Sequence, residues 1–227
     1  MTINLNKFLL TKVKYKMLKI ISSLLFFLIL CYSPAGLTKK LSTQDINLAY
    51  YRSYNYEKYA NITDAIKSIQ LIYKQYPKAY QINVRLAYLY ELNRQYANAK
   101  MHYHKAIQAL PYALSPKLGL LYVYNLSNDF KEASKLGYQV ISMDYYNYYG
   151  NLRLAYALKK NKKWALAETL LVKMLILYPS DTLYLSELGE IKFLQKKYRR
   201  AKTIMQSVLV LEPENILAKT TLLAMEH

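Results

Sequence analysis

An all-α solenoid is the fold class this sequence predicts, and three observations predict it. The first is a period. Alanine recurs at Ala65, Ala99, Ala133, Ala167 and Ala201, leucine at Leu86, Leu120, Leu154 and Leu188, and an aromatic at Tyr96, Phe130, Trp164 and Tyr198, each 34 residues after the last. Proline keeps the same ruler at Pro77, Pro111, Pro179 and Pro213, with Tyr145 where another is due. A period of a few tens of residues, shared by several residue classes, marks stacked repeats. The second observation lies inside one period. Leu86, Ala87 and Tyr90 make an apolar stripe at helical spacing, Asn93-Arg94-Gln95 is a polar turn, and Ala99, Tyr103, Ala106 and Ile107 share a face of a second helix. The third is punctuation: five Gly and six Pro leave little room for sheets or long loops.

Each unit is thus expected to be two antiparallel helices. Ala87 and Ala99 are small where the two stripes meet, which lets the helices approach closely. Pro111 ends the second helix, because proline lacks an N–H and clashes with the preceding turn. One such pair cannot bury its own stripe, so neighbouring pairs must stack.

These residues resemble the tetratricopeptide repeats (TPR). Leu86-Ala87 with Tyr90, then Ala99, Tyr103 and Pro111 follow that family's order and spacing. Leu188-Gly189, Ala201, Met205 and Pro213 follow it again, with Lys192 where the family prefers Tyr. The resemblance spans residues 46–227, about four-fifths of the chain. It implies a right-handed superhelix of about five helix-turn-helix repeats and a C-terminal half-repeat helix. It implies little about the ligand, since the repeat is a scaffold for unrelated partners.

Taken in order, residues 1–35 read as a signal peptide. Ile20 to Tyr32 is an apolar run broken only by Ser22 and Ser23, with Lys12, Lys14, Lys16 and Lys19 before it and Ser33-Pro34-Ala35 after it. The run falls short of the ~20 residues that span a bilayer. Export to the periplasm or secretion, with cleavage after Ala35, is the expectation; retention as an inner-membrane anchor through residues 20–32 is the alternative. Met17 is a second candidate start, and Leu30 before Cys31 is too bulky for a lipoprotein box. Residues 36–45 are a polar linker, in which Ser42-x-x-Asp45 has the layout of a helix cap. The repeats follow at 46–79, 80–113, 114–147, 148–181 and 182–215, with a final helix over 216–227. The first is degenerate, with Arg52 and Ser53 in place of Leu and a small residue, as a terminal unit with one face in water allows. The third ends in Asp144-Tyr145-Tyr146-Asn147-Tyr148-Tyr149-Gly150, either a turn packed by tyrosines or an exposed aromatic contact. The final helix is short and weakly charged, which makes the C-terminal end a candidate homodimer contact.

Two surfaces are candidates for function. The resemblance implies a concave groove lined by the first helix of each pair. Its ninth places hold Tyr54, Tyr88, Tyr122 and Tyr156, its fifth places Tyr50, Val84, Leu118 and Leu152, and its twelfth places Glu57, Glu91, Asn125 and Lys159. This reads as an aromatic, apolar groove with acids at its N-terminal end. Tyrosine offers a flat apolar face and one hydroxyl, which suits an extended peptide or a sugar ring. Packing between adjacent first helices is the competing role for these tyrosines. Relatives that clamp a C-terminal carboxylate use Lys and Asn in the groove, where this chain has Val84, Leu118, Tyr88 and Tyr122. The second surface is a basic edge made by two turns: Lys159, Lys160, Lys162 and Lys163, then Lys192, Lys196, Lys197, Arg199, Arg200 and Lys202. The formal charge of +18 favours anionic partners, and the edge would suit acidic lipid headgroups of a membrane surface, a phosphorylated glycan or an acidic protein, while the export segment disfavours nucleic acid. Abundant Lys, Tyr, Asn and Ile are also what AT-rich codons produce.

Catalysis is not expected. The single Cys31 lies in the export segment, and His102 and His104 project about 200° apart on a helix, so they cannot chelate one metal from one face. No phosphate loop, nucleophile elbow or zinc-helix motif is present, so no cofactor is expected. The reading is a non-catalytic adaptor holding a protein or peptide in the groove, with glycan binding in an envelope export system as the alternative.

Overall fold

The computed structural model describes residues 40–226; the expected export segment, residues 36–39 of the linker and His227 lie outside the described residues. Eleven α-helices and no strands occur among the described residues. They are α1 Thr43–Lys58, α2 Ile62–Gln75, α3 Tyr80–Leu92, α4 Tyr96–Ala109, α5 Leu114–Leu126, α6 Phe130–Met143, α7 Tyr148–Lys160, α8 Trp164–Leu177, α9 Thr182–Leu194, α10 Tyr198–Leu211 and α11 Ile216–Leu223. From α3 onward the first helices begin 34 residues apart, and from α2 onward so do the second helices.

The chain begins helix earlier than the linker reading allows. Ser42 caps α1 and forms a full capping box with Asp45, so Thr43, Gln44 and Asp45 are already helical. The box satisfies two otherwise unpartnered backbone N–H groups at once. Ser53 is fully buried in α1 and takes the small residue's role in the degenerate first unit. At the other end α11 stops at Leu223 rather than running to the terminus.

Every unit turns the same way between its two helices. Ala60, Arg94, Asn128, Lys162 and Lys196 sit at φ between 56° and 61°, again 34 apart. In each turn the following N–H reaches back five residues, as from Gln95 to the Tyr90 carbonyl at 2.9 Å and from Lys197 to Lys192 at 2.9 Å. This is the Schellman ending, which satisfies carbonyls that a helix leaves open. None of the five is glycine, so an alanine, an arginine, two lysines and Asn128 occupy a left-handed conformation that L-residues disfavour.

Four apolar clusters straddle successive units. Ile69, Ile82, Leu86 and Leu89 join units one and two, Ala99, Tyr103, Leu120 and Ala133 units two and three, Leu154, Leu171, Tyr184 and Ile191 units four and five, and Met205, Val208 and Ala218 dock the final helix. First helices approach the next first helix backbone to backbone (α3 to α5, α5 to α7, α7 to α9, α9 to α11), whereas second helices stand further apart and meet only through long side chains, as Tyr73 of α2 meets His102 and Lys105 of α4. The first helices therefore lie on the inside of the curve and line its concave face.

Polar seams run along both rims of the stack. On the turn side, Lys100, Ser134 and Glu168 occupy one repeat place, and each bonds the next unit's turn. Lys100 pairs with Asp129 at 2.7 Å, Ser134 accepts from Asn161 at 3.0 Å, and Glu168 accepts from Gln195 at 3.0 Å and from Lys192. On the opposite rim, Asn83 and Asn151 donate to the carbonyls of Pro77 and Tyr145 at 2.9 and 3.0 Å, and Lys117 donates to that of Pro111. Tyr145 thus keeps the carbonyl contact of the prolines it replaces. Lys173 adds a second bond to the same carbonyl at 2.8 Å and lies 3.7 Å from the Tyr145 ring centre.

Candidate functional site

The concave face holds two depressions. The first, of about 550 Å³, lies between α1 and α3 and is walled by Tyr50, Tyr54, Val84 and Tyr88 with Glu57, Tyr80, Gln81 and Arg85. Arg85 is buried, lies 3.8 Å from the Tyr54 ring centre, bonds Ser53 at 3.1 and 3.2 Å, and pairs with Glu57 at 2.5 Å. Glu57 is therefore engaged within the fold. Glu91 is engaged too: it accepts from the Tyr103 hydroxyl at 2.8 Å, and burial holds its carboxyl above the usual carboxylate range. The expected free acids at the N-terminal end of the groove are thus structural, each answering a buried donor on the adjacent helix.

The second depression, of about 670 Å³, is walled by α5, α7, α9 and α11. It contains the predicted Tyr122, Asn125, Leu152 and Tyr156, together with Tyr149, Leu183, Ile216 and Leu217. Predicted Leu118 is not in its wall; that residue packs against the core below, and its carbonyl accepts from Arg153 at 2.8 Å. Tyr54, Tyr88 and Tyr122 are exposed and Tyr156 is half-buried, so the tyrosine column faces the groove while its edges pack.

Two polar groups in this wall are left open. Arg153 has its guanidinium between Tyr122 and Tyr149, 4.6 and 5.1 Å from their ring centres. It forms no ion pair among the described residues, and burial holds its pKa below the usual arginine value. Beside it, Asn125 donates to the Arg153 carbonyl at 2.9 Å, while its own side-chain oxygen is buried without a partner. A buried acceptor without a donor costs roughly 1–3 kcal/mol. Arg153, with N–H groups beyond the one given to Leu118, and the Asn125 amide thus lie side by side in one aromatic wall.

The fold, though not the site, has counterparts among solved structures. No protein-family model matches the sequence, and no curated protein matches it. Among solved structures, a tetratricopeptide repeat protein from Parabacteroides merdae superposes with a TM-score of 0.71 at 11% identity, covering 78% of this chain and 71% of that one. MamA from Desulfovibrio magneticus RS-1, residues 41 to the end, gives 0.70 at 13%, covering 76% and 97%. YrrB, described as a TPR protein with an unusual peptide-binding site, gives 0.69 at 14%, covering 84% and 94%. The fold is the tetratricopeptide repeat.

Within this TPR solenoid the basic edge needs correction at two of its ten residues. Lys159 is buried and pairs with Glu187 at 2.7 Å and Glu190 at 2.5 Å. Burial alone would lower its pKa, but the two carboxylates outweigh burial and hold it above the ordinary lysine value. Lys192 is buried against Glu168. Both point inward because their repeat places face the stack. The other eight, Lys160, Lys162, Lys163, Lys196, Lys197, Arg199, Arg200 and Lys202, are exposed. The two turns are adjacent, bridged through Glu168.

The aromatic stretch of unit three divides. Tyr148 packs and donates to Asp181 at 2.8 Å, whereas Tyr145, Tyr146 and Tyr149 are exposed. His102 is buried on Asn83 at 2.9 Å and His104 meets the Tyr124 hydroxyl at 3.1 Å, on opposite sides of α4.

Sequence reasoning missed Arg85 and Arg153. A signal was present. Both occupy the sixth place of a first helix, and each lies 31 residues after the tyrosine it covers.

Proposed function

We propose that this TPR chain is a non-catalytic scaffold that holds an extended peptide segment of a partner protein in its concave groove. The observation that carries the reading is the α5–α7–α9–α11 depression, with Arg153 and the unpartnered Asn125 oxygen set side by side in an aromatic wall. A peptide backbone offers carbonyls for the guanidinium N–H groups that Leu118 does not take. Its side chains would lie on the tyrosine and leucine faces, where aromatic contact adds affinity at small entropic cost. The peptide-binding site in the printed description of YrrB supports this reading by analogy.

A glycan fits less well. One face of Tyr54 and one of Tyr122 is covered by an arginine, which leaves fewer flat rings for sugar stacking. Export to the cell envelope is proposed on the lysines and apolar run of residues 1–35, and mass spectrometry of the N-terminus tests it.

The binding test is selection of peptides from a displayed library on the native chain, followed by fluorescence anisotropy with the selected peptides. The expected result is affinity that falls at least about tenfold in Tyr122→Ala/Tyr156→Ala and in Asn125→Ala, in line with a hot spot worth over ~1 kcal/mol. Equal binding by the variants removes the groove as the site. Oligosaccharides that quench tyrosine fluorescence while no peptide is selected would replace the peptide reading with the glycan one.

A further inference from the structure

The basic edge is separate from the groove and points to a different contact. Lys160, Lys162 and Lys163 surround the turn of the fourth unit, and Lys196, Lys197, Arg199, Arg200 and Lys202 that of the fifth. None of these side chains forms an ion pair or a side-chain hydrogen bond among the described residues. The acids nearby are already committed: Glu168 to Lys192 and Gln195, and Glu187 and Glu190 to Lys159. The interior cations therefore neutralise the local acids, and the surface cations keep their full charge.

The same rim at the other end of the molecule is built differently. Asn61 caps α2 with Asp64 in its first turn, and Asp129 and Glu132 flank the start of α6. At α8 and α10 no side chain caps the N-terminus and the first turn holds no acid, so the positive helix end adds to the lysines. The rim thus runs from mixed charge to an unbroken positive field.

We propose that the turn edge of the fourth and fifth units docks on an anionic phospholipid surface. The surface is open and shallow at the fifth turn, the exposed lysines of the fourth turn lie beside it, and such a spread of cations fits a plane better than a cylinder or a single ion. Tyr198 stands half exposed among the cations, an aromatic placed as in the headgroup layer of membrane proteins. Polybasic surfaces alone bind bilayers weakly, and firm anchoring takes a second signal. The edge is therefore expected to bind reversibly, through charge.

The test is sedimentation of the full chain with vesicles of phosphatidylcholine alone and of phosphatidylcholine mixed with phosphatidylglycerol. Three proteins are compared: the native chain, K196Q/K197Q/R199Q/R200Q, and the charge-matched control R52Q/K58Q/K74Q/K78Q. All eight replaced side chains are exposed, and circular dichroism melting confirms that each variant is folded. Each cation at an anionic surface contributes roughly fivefold. The native chain is expected to prefer the phosphatidylglycerol vesicles, the edge variant to lose at least about tenfold of that preference, and the control to keep it. High salt should erase the preference as the screening length shrinks to about 3 Å near 1 M. Binding to phosphatidylcholine alone reports contacts other than charge and should not differ among the three proteins. The proposal is overturned if the edge variant keeps the preference or the control loses as much. It is equally overturned if the edge variant loses affinity for duplex DNA while its vesicle preference stands.

Discussion

His102 is a neutral side chain in a place built for neutrality. It stacks on Tyr90 with ring centres 5.4 Å apart, bonds Asn83, and is depressed to about 4, first by burial and then by Lys105. The unfolded chain binds the proton nearer 6.5. Folded stability is therefore intact above about 6.5 and is lost as pH falls toward about 4, by roughly 3 kcal/mol at the low end. Urea titrations at pH 7 and pH 4.5 should show that His102→Gln, compared with the native chain, has a smaller loss between the two. Gly119 is the other sensitive residue. An added Cβ would stand 2.3 Å from Cζ of Tyr103, whose hydroxyl holds Glu91. Gly119→Ala is expected to cost about 1–3 kcal/mol by overpacking, read as a lower midpoint in the same titration. The buried lysines show what sequence reading can and cannot do at this scale. Lys192 stands where the repeat pattern wants a core tyrosine, so its burial was legible from its place. Its partner Glu168 was not, because the pair is 24 residues apart and meets only when two units stack.

At the scale of the helix, the caps differ from unit to unit. Asn147, Asp181 and Asn215 accept backbone N–H bonds at the starts of α7, α9 and α11, whereas Ala79 and Ala113 at the equivalent places accept none. Ala113 already has the extended backbone of a capping residue, at φ −70° and ψ 126°. Ala113→Asp should therefore stabilise the chain by about 1 kcal/mol, measured as a higher thermal midpoint. No change would mean that the two helix ends are held by packing alone. Helix limits were well marked in the sequence, since period, proline and cap agree with one another. The cap of the first helix was legible at Ser42 and Asp45, and the helix starts three residues before the 46 boundary because that boundary follows the repeat ruler and not the cap. The turns were visible as polar triplets. Their left-handed residue was hidden, as Ala60, Arg94, Lys162 and Lys196 lack the glycine that usually announces it.

For the whole molecule, the period made the architecture legible, because stacking repeats a single solution to burying one stripe. The groove's tyrosines could be listed from that period, but not its open donor and acceptor, which depend on how α5 meets α7. The rim seam has a further consequence for how such a chain could be lengthened or shortened. Its three junctions use different chemistry: a cation with an anion, a hydroxyl with an amide, and an anion with a cation and an amide. Removing residues 148–181 would set Lys192 against Ser134 and leave Glu187 and Glu190 without Lys159. A buried charge stripped of its partner costs about 3–5 kcal/mol, so this shortened chain should not melt cooperatively in circular dichroism. Removing 114–147 instead sets Lys100 against Asn161 near the surface and should leave a cooperative transition. The modules share one shape yet are not interchangeable: each carries, on its rim, the chemical address of the neighbour that must follow it.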